Sequence, residues 1–107
     1  MKVLVTGAGG YIGRHVNNEL LDQTSWKIVA LDRHGERLPR ESTRLRTIGH
    51  DFDRAPDLSP WIEGVDAVIN LASSSDVLAF LQNPVKHTMN NVVSTLNLLE
   101  WARYREL

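Results

Sequence analysis

Short apolar runs alternate along this chain with apolar residues at helical spacing. Within residues 2–6, Val3-Leu4-Val5 forms a run that stops at glycine, as expected of a strand buried on both faces. Ile12, Val16, Leu20 and Leu21 then recur at helical intervals through residues 11–21. A second buried-strand pattern, Lys-Ile-Val-Ala-Leu, fills residues 27–31 and ends at Asp32. Residues 33–44 are polar, contain Gly35 and Pro39, and predict a loop with at most one broken helical turn. Residues 45–48 predict a third, weaker strand, and residues 66–71 (Asp-Ala-Val-Ile-Asn-Leu) a fourth. Between them residues 57–63 predict a short helix with Pro60 in its first turn. Ser75 or Asp76 is placed to cap a helix, and the last segment is the clearest helix of all. Asn83 stands at its N-cap position and Pro84 at its first helical position. Its main stripe is Val85, Met89, Val92, Val93, Leu96, Leu99 and Ala102, leaving Leu98 and Trp101 outside.

Strands alternating with helices imply an α/β fold with a mostly parallel sheet and right-handed crossovers. The expected architecture is an α/β layout with strands buried on both faces. At 107 residues and 42% hydrophobic content, the chain suits one compact domain and not two. Twelve basic residues balance thirteen acidic ones, so no long-range field favours nucleic acid or a membrane surface. Arginines concentrate between Arg33 and Arg54, but Glu36, Glu41, Asp51 and Asp53 are interspersed and no aromatic residues alternate with them regularly; a solvated loop is expected. The absence of cysteine excludes disulfides and thiolate metal sites. His15, His34, His50 and His87 are too scattered for a zinc site, so no metal is expected. The opening apolar run is too short for a signal peptide and no stretch is long enough to span a bilayer, which predicts a cytoplasmic protein.

The candidate chemistry begins at Gly7, Gly10 and Gly13, which fall between the first strand and the first helix. Glycine is needed where the chain turns sharply and where a side chain would block an approaching phosphate. The helix start beyond them offers unpaired N–H groups and the positive end of a dipole. Alone, the glycines could form only a tight turn, which is the lesser reading. Asp32 adds to the pattern, because it ends the second strand 19 residues after Gly13. A ribose-binding acid is expected roughly 20 residues on. Such a carboxylate accepts the hydroxyls of NAD and repels the 2′-phosphate of NADP. Arg33 is either a solvated loop residue or a partner for that phosphate. NAD is the favoured cofactor and NADP the lesser one.

Thr6-Gly-Ala-Gly-Gly-Tyr-Ile-Gly13 resembles the glycine motif of the NAD-dependent epimerase/dehydratase family, the extended short-chain dehydrogenase/reductases acting on nucleotide sugars. Gly49-His-Asp51-Phe52-Asp53 is similar to that family's loop after the third strand, and Asp66-Ala-Val-Ile-Asn-Leu71-Ala72-Ser73 to its fourth-strand motif. Asn83-Pro84 and Asn91-Val-Val-Ser-Thr-Leu-Asn-Leu-Leu-Glu100 resemble its next helix. Four motifs in order, covering the whole chain, are more specific than glycines alone. The resemblance implies a truncated, doubly wound Rossmann-type α/β sheet of order 3-2-1-4 with the glycines at the switch point, and residues 1–107 as one dinucleotide-binding half domain with no substrate domain. The resemblance implies a cofactor site of Gly7, Gly10, Tyr11, Ile12, Gly13, Asp32, Arg33, Asp51, Phe52, Leu71, Ala72, Ser73 and Asn91. Within it Asp51 and Phe52 would contact adenine, rather than Asp51 and Asp53 a cation. Asn70 replaces the family's usual histidine, Ser73 its second alanine and Ser94 its helix glycine, which puts close packing at Ser94 in doubt.

Members of that family also carry a Ser/Thr and a Tyr-x-x-x-Lys, which have no counterpart here: the lysines are Lys2, Lys27 and Lys86, and neither tyrosine has one four residues on. No catalytic residue is therefore assigned. Ser73 to Asp76 lack a nucleophile elbow for hydrolysis, and Ser73 and Ser74 are expected to border the cofactor instead. The expectation is the NAD(P)-binding N-terminal part of a nucleotide-sugar epimerase- or dehydratase-like oxidoreductase, inactive alone and binding dinucleotide weakly. The alternative is a stand-alone dinucleotide-sensing or protein-interaction module. An open fourth-strand edge, together with Leu98 and Trp101 on a helix that contributes to dimer interfaces in that family, predicts self-association through that edge or that helix.

Overall fold

The computed structural model describes residues 1–51 and 59–107. Strand β1 (Lys2–Thr6) leads into helix α1 (Tyr11–Gln23) and strand β2 (Lys27–Asp32). A single 3-10 turn (Gly35–Arg37) precedes β3 (Leu45–Gly49); α2 (Ser59–Ile62), β4 (Ala67–Asn70), α3 (Val77–Gln82) and α4 (Pro84–Tyr104) follow. The strands form one parallel sheet of order β3-β2-β1-β4. Leu4 lies beside Val29 on one side and Val68 on the other, so the apolar runs sit at the centre of the sheet. β4 pairs with β1 alone among the described residues and forms the sheet's edge. The predicted 57–63 helix appears as α2, although residues 57 and 58, like Phe52 and Asp53, lie outside the described residues.

Side-chain alternation along the strands divides the core in two. Val3, Val5, Ile28 and Ala30 point to one face, where Val16, Leu20 and Leu21 of α1 cover them. Leu4, Val29 and Leu31 point to the other, under Ile62 of α2 and Leu98 and Trp101 of α4. Apolar residues on both faces of the strands thus require helices on both faces of the sheet. Caps define the later helices. Asp76 Oδ1 accepts from Leu78 N at 2.9 Å and Ala79 N at 3.3 Å, and Asn83 Oδ1 accepts from Lys86 N at 3.3 Å with Pro84 opening α4.

The orientation of α4 corrects the stripe read from sequence. Leu98 and Trp101, expected outside the packing face, are 5% and 6% exposed, whereas Leu96 and Leu99 of the expected stripe are 57% and 60% exposed. Val85, Met89 and Val92 are exposed with them. The helix carries apolar residues on two sides, and the side that meets the sheet is the one where Ser94 permits close approach. Ser94 is buried, its hydroxyl donating to Asn91 O at 3.2 Å, so serine serves where glycine was expected. Leu98 and Trp101 are therefore core residues and not a surface for self-association.

Candidate functional site

The C-terminal ends of β1, β2 and β4 converge on a groove of about 640 Å³. Such a crevice, where the crossovers leave in opposite directions, is where open α/β sheets bind ligands. The turn from β1 to α1 forms its floor. Gly7 adopts φ +64°, a conformation natural to glycine, and its carbonyl accepts from Gly10 N at 3.1 Å to close the turn. A Cβ on Gly13 would strike that same carbonyl and the Ala8 backbone, so α1 packs against the turn only because residue 13 has no side chain. Thr6, fully buried, fastens the opposite wall. Its hydroxyl donates to Asn70 Oδ1 at 2.5 Å and accepts from Leu71 N and Ala72 N, each at 3.2 Å.

Helix α1 starts at the groove. Gly10 is its N-cap and supplies no side-chain acceptor, and the first intrahelical bond runs from Arg14 N to Gly10 O at 3.0 Å. The amides of Tyr11, Ile12 and Gly13 consequently have no intrahelical acceptor, and all three residues line the groove. A Cβ on Gly10 would meet only the Gly7 carbonyl oxygen, at 3.3 Å, so the backbone here lies open toward the groove. Bare backbone, first-turn amides and the positive end of a 13-residue helix fit a diphosphate.

Asp32 ends β2 at the groove's far side, with little exposure. One carboxylate oxygen accepts from Gly9 N at 2.9 Å and the other from His34 N at 2.8 Å. Each oxygen retains a lone pair, and the carboxylate's orientation is fixed by main chain on both sides. Arg33, His34 and Arg37 stand around it on the groove wall.

Gly7, Gly10, Tyr11, Ile12, Gly13, Asp32, Arg33, Asp51, Leu71, Ala72, Ser73 and Asn91 all line this one groove, and Phe52 lies outside the described residues. Asn91 is engaged there with the protein itself. Its Oδ1 accepts from Ser74 N at 2.6 Å and its Nδ2 donates to Ser74 O at 3.1 Å, which fixes the loop after β4. The Ser74 hydroxyl shares a 2.6 Å hydrogen bond with His87 Nδ1 and ties the same loop to α4. Sequence reasoning missed His34, Arg37, Ser75 and Asp76, which join the lining because the loops after β2 and β4 fold back over it, and Asn90 and Ser94, which α4 brings to it. It also missed the Gly9 amide, although four residues of Gly-x-Gly-Gly pattern hinted at a second backbone contact. Among the described residues no group of three potential metal ligands occurs, and no helix is long and apolar enough to cross a membrane.

The sequence profile of the NAD dependent epimerase/dehydratase family matches residues 3–107. UDP-glucuronic acid decarboxylase 6 of Arabidopsis thaliana is 29% identical over 106 residues, covering 96% of this chain and 30% of that protein. A dTDP-glucose 4,6-dehydratase from Streptomyces venezuelae, solved with NAD, is 31% identical with a TM-score of 0.83, covering 95% of this chain and 35% of that one. A Thermus thermophilus UDP-glucose 4-epimerase in complex with NAD is 26% identical with a TM-score of 0.81, covering 97% and 34%. This chain thus spans about a third of the length of the relatives it matches. Profile, fold and glycine-turn geometry agree: the chain belongs to the NAD-dependent epimerase/dehydratase family.

Proposed function

We propose that these 107 residues are the NAD-binding unit of an oxidoreductase acting on nucleotide sugars. The observation that carries this is the pairing of a glycine turn open toward the groove at Gly10 with the Asp32 carboxylate, fixed beside that turn by the Gly9 amide at 2.9 Å. NAD, when bound, accepts and returns a hydride. The chain's own residues would do the holding: first-turn amides of α1 for the diphosphate, Asp32 for the adenosine ribose, and the walls at Leu71–Ser73 and Asp51 for the rings. Proton transfer would fall to groups outside these residues, since no Tyr-x-x-x-Lys occurs in them.

Asp32 supports NAD over NADP. Gly9 and His34 hold its carboxylate in place, so it cannot swing away to admit a 2′-phosphate, and Arg33 and Arg37 would have to act against a fixed negative charge. Binding is expected to be weak, because the residues flanking the nicotinamide are few in a chain of this length. Titration followed by backbone amide NMR is expected to move Gly10 to Gly13 with NAD at lower concentration than with NADP. Asp32→Ala should narrow that ratio; a tighter complex with NADP than with NAD would refute the assignment.

A further inference from the structure

The peptide group joining Ala8 to Gly9 is held at both ends. Its carbonyl accepts from Nδ2 of Asn17 at 3.1 Å, and its N–H donates to Asp32 Oδ2 at 2.9 Å. Asn17 sits in the middle of α1 and is 1% exposed. Its own Oδ1 is buried with no hydrogen-bond partner among the described residues. Around it the sheet-facing side of α1 carries Gly13, Val16, Leu20 and Leu21.

Packing alone does not account for an amide in this place. An aliphatic side chain of similar size would fill the space and spare the unmatched Oδ1, but it would leave the buried Ala8 carbonyl without its donor. What the amide does accomplish is directional. Ala8 is fully buried, and Asn17 draws its carbonyl inward, toward the helix. Because a peptide group is planar, fixing that oxygen also fixes the Gly9 N–H on the opposite side, toward Asp32. If the same peptide turned over, a carbonyl oxygen would replace an N–H beside the groove, and Asp32 would lose one of its two anchors.

We propose that Asn17 is a positioning residue for the diphosphate-binding turn: it holds the Ala8 carbonyl away from the groove and so sets both the turn and the Asp32 carboxylate. This rests on the groove taking a dinucleotide. Gly9 completes the arrangement, since a Cβ there would collide with Cβ of Arg37 and crowd Asp32 Oδ2.

The test is Asn17→Leu in the 107-residue chain, with Asn17→Ala as a second variant should the larger side chain prevent folding. Amide hydrogen exchange in the free protein separates a local role from a general one. The Gly9 amide is expected to exchange faster by roughly tenfold beyond any change at Leu4 and Val29, whose core amides report global opening. NAD affinity is expected to fall by roughly tenfold. A uniform acceleration at Gly9, Leu4 and Val29, or failure of both variants to fold, would show Asn17 to be structural only and overturn the proposal. So would unchanged NAD affinity in a variant whose parent binds NAD. If the parent itself binds no dinucleotide, the functional assignment fails instead, and the exchange pattern still decides whether Asn17 holds the turn.

Discussion

Helices α1 and α4 cover opposite faces of one sheet, and they do so by different means. Helix α1 approaches through Gly13 and Asn17, giving up apolar area at its line of closest contact and leaving Val16, Leu20 and Leu21 to pack on either side. Helix α4 approaches through Ser94, Leu98 and Trp101, two of which are large apolar side chains seated among Leu4, Val29, Leu31 and Ile62. On the α1 side closeness is favoured over bulk, because the glycine turn must fit beneath the helix start. On the α4 side no such turn intervenes, and burial of large side chains does the fastening. The contrast teaches where closeness has displaced bulk: the helix with the smaller residues is the one whose first turn faces the groove.

Truncating the bulk side should give the largest effect. Leu98→Ala is expected to cost about 2–5 kcal/mol, as for a deleted core leucine. Leu96→Ala, on the exposed side of the same helix, should stay within about 0.5 kcal/mol. Equal losses at both positions in urea denaturation would break the comparison. Crowding the close side comes next. Gly13→Ala places a methyl group against the Gly7 carbonyl. It should destabilise by roughly 1–3 kcal/mol through overpacking and displace the α1 N-terminus enough to abolish NAD-induced amide shifts. Retained binding with an unchanged melting temperature would mean that closeness is not required. The smallest effect belongs to α4's solvent face. Glu100 and Arg103 form an exposed ion pair at 2.5 Å, and the hydrogen bond from Arg103 holds the Glu100 carboxyl below its usual range. A lowered carboxyl favours the folded state above its ordinary pKa and loses that contribution as pH falls through the lowered value. Exposure and solvent screening make it slight, so Arg103→Ala should leave the denaturation midpoint unmoved.

Much of the fold could be read before any coordinates. Val3–Val5 and Ile28–Leu31 are uninterrupted apolar runs ending at Gly7 and Asp32, and a parallel sheet covered on both sides is the arrangement that suits them. The spacing from Gly13 to Asp32 put the turn and the acid at neighbouring strand ends, which is where β1 and β2 place them. The lining contributed by His34 and Arg37 was not legible, because it depends on a 3-10 turn folding back until Gly35 packs near Gly49. Helix α4 misled for a different reason. Periodicity marks an apolar stripe but cannot choose between two stripes on one helix, and the choice fell to Ser94, a small polar residue that adds nothing to an apolar count.

Asp32 is a rivet as well as the proposed ribose ligand, since its two oxygens join the glycine turn to the loop beyond β2. Deleting the carboxylate would therefore remove the proposed ribose acceptor and unfasten two backbone segments in one stroke. Affinity lost in such a variant overstates what the sugar contact alone contributes. The ratio between two cofactors differing only at the 2′ position largely cancels the shared mechanical damage, and so isolates the chemical part.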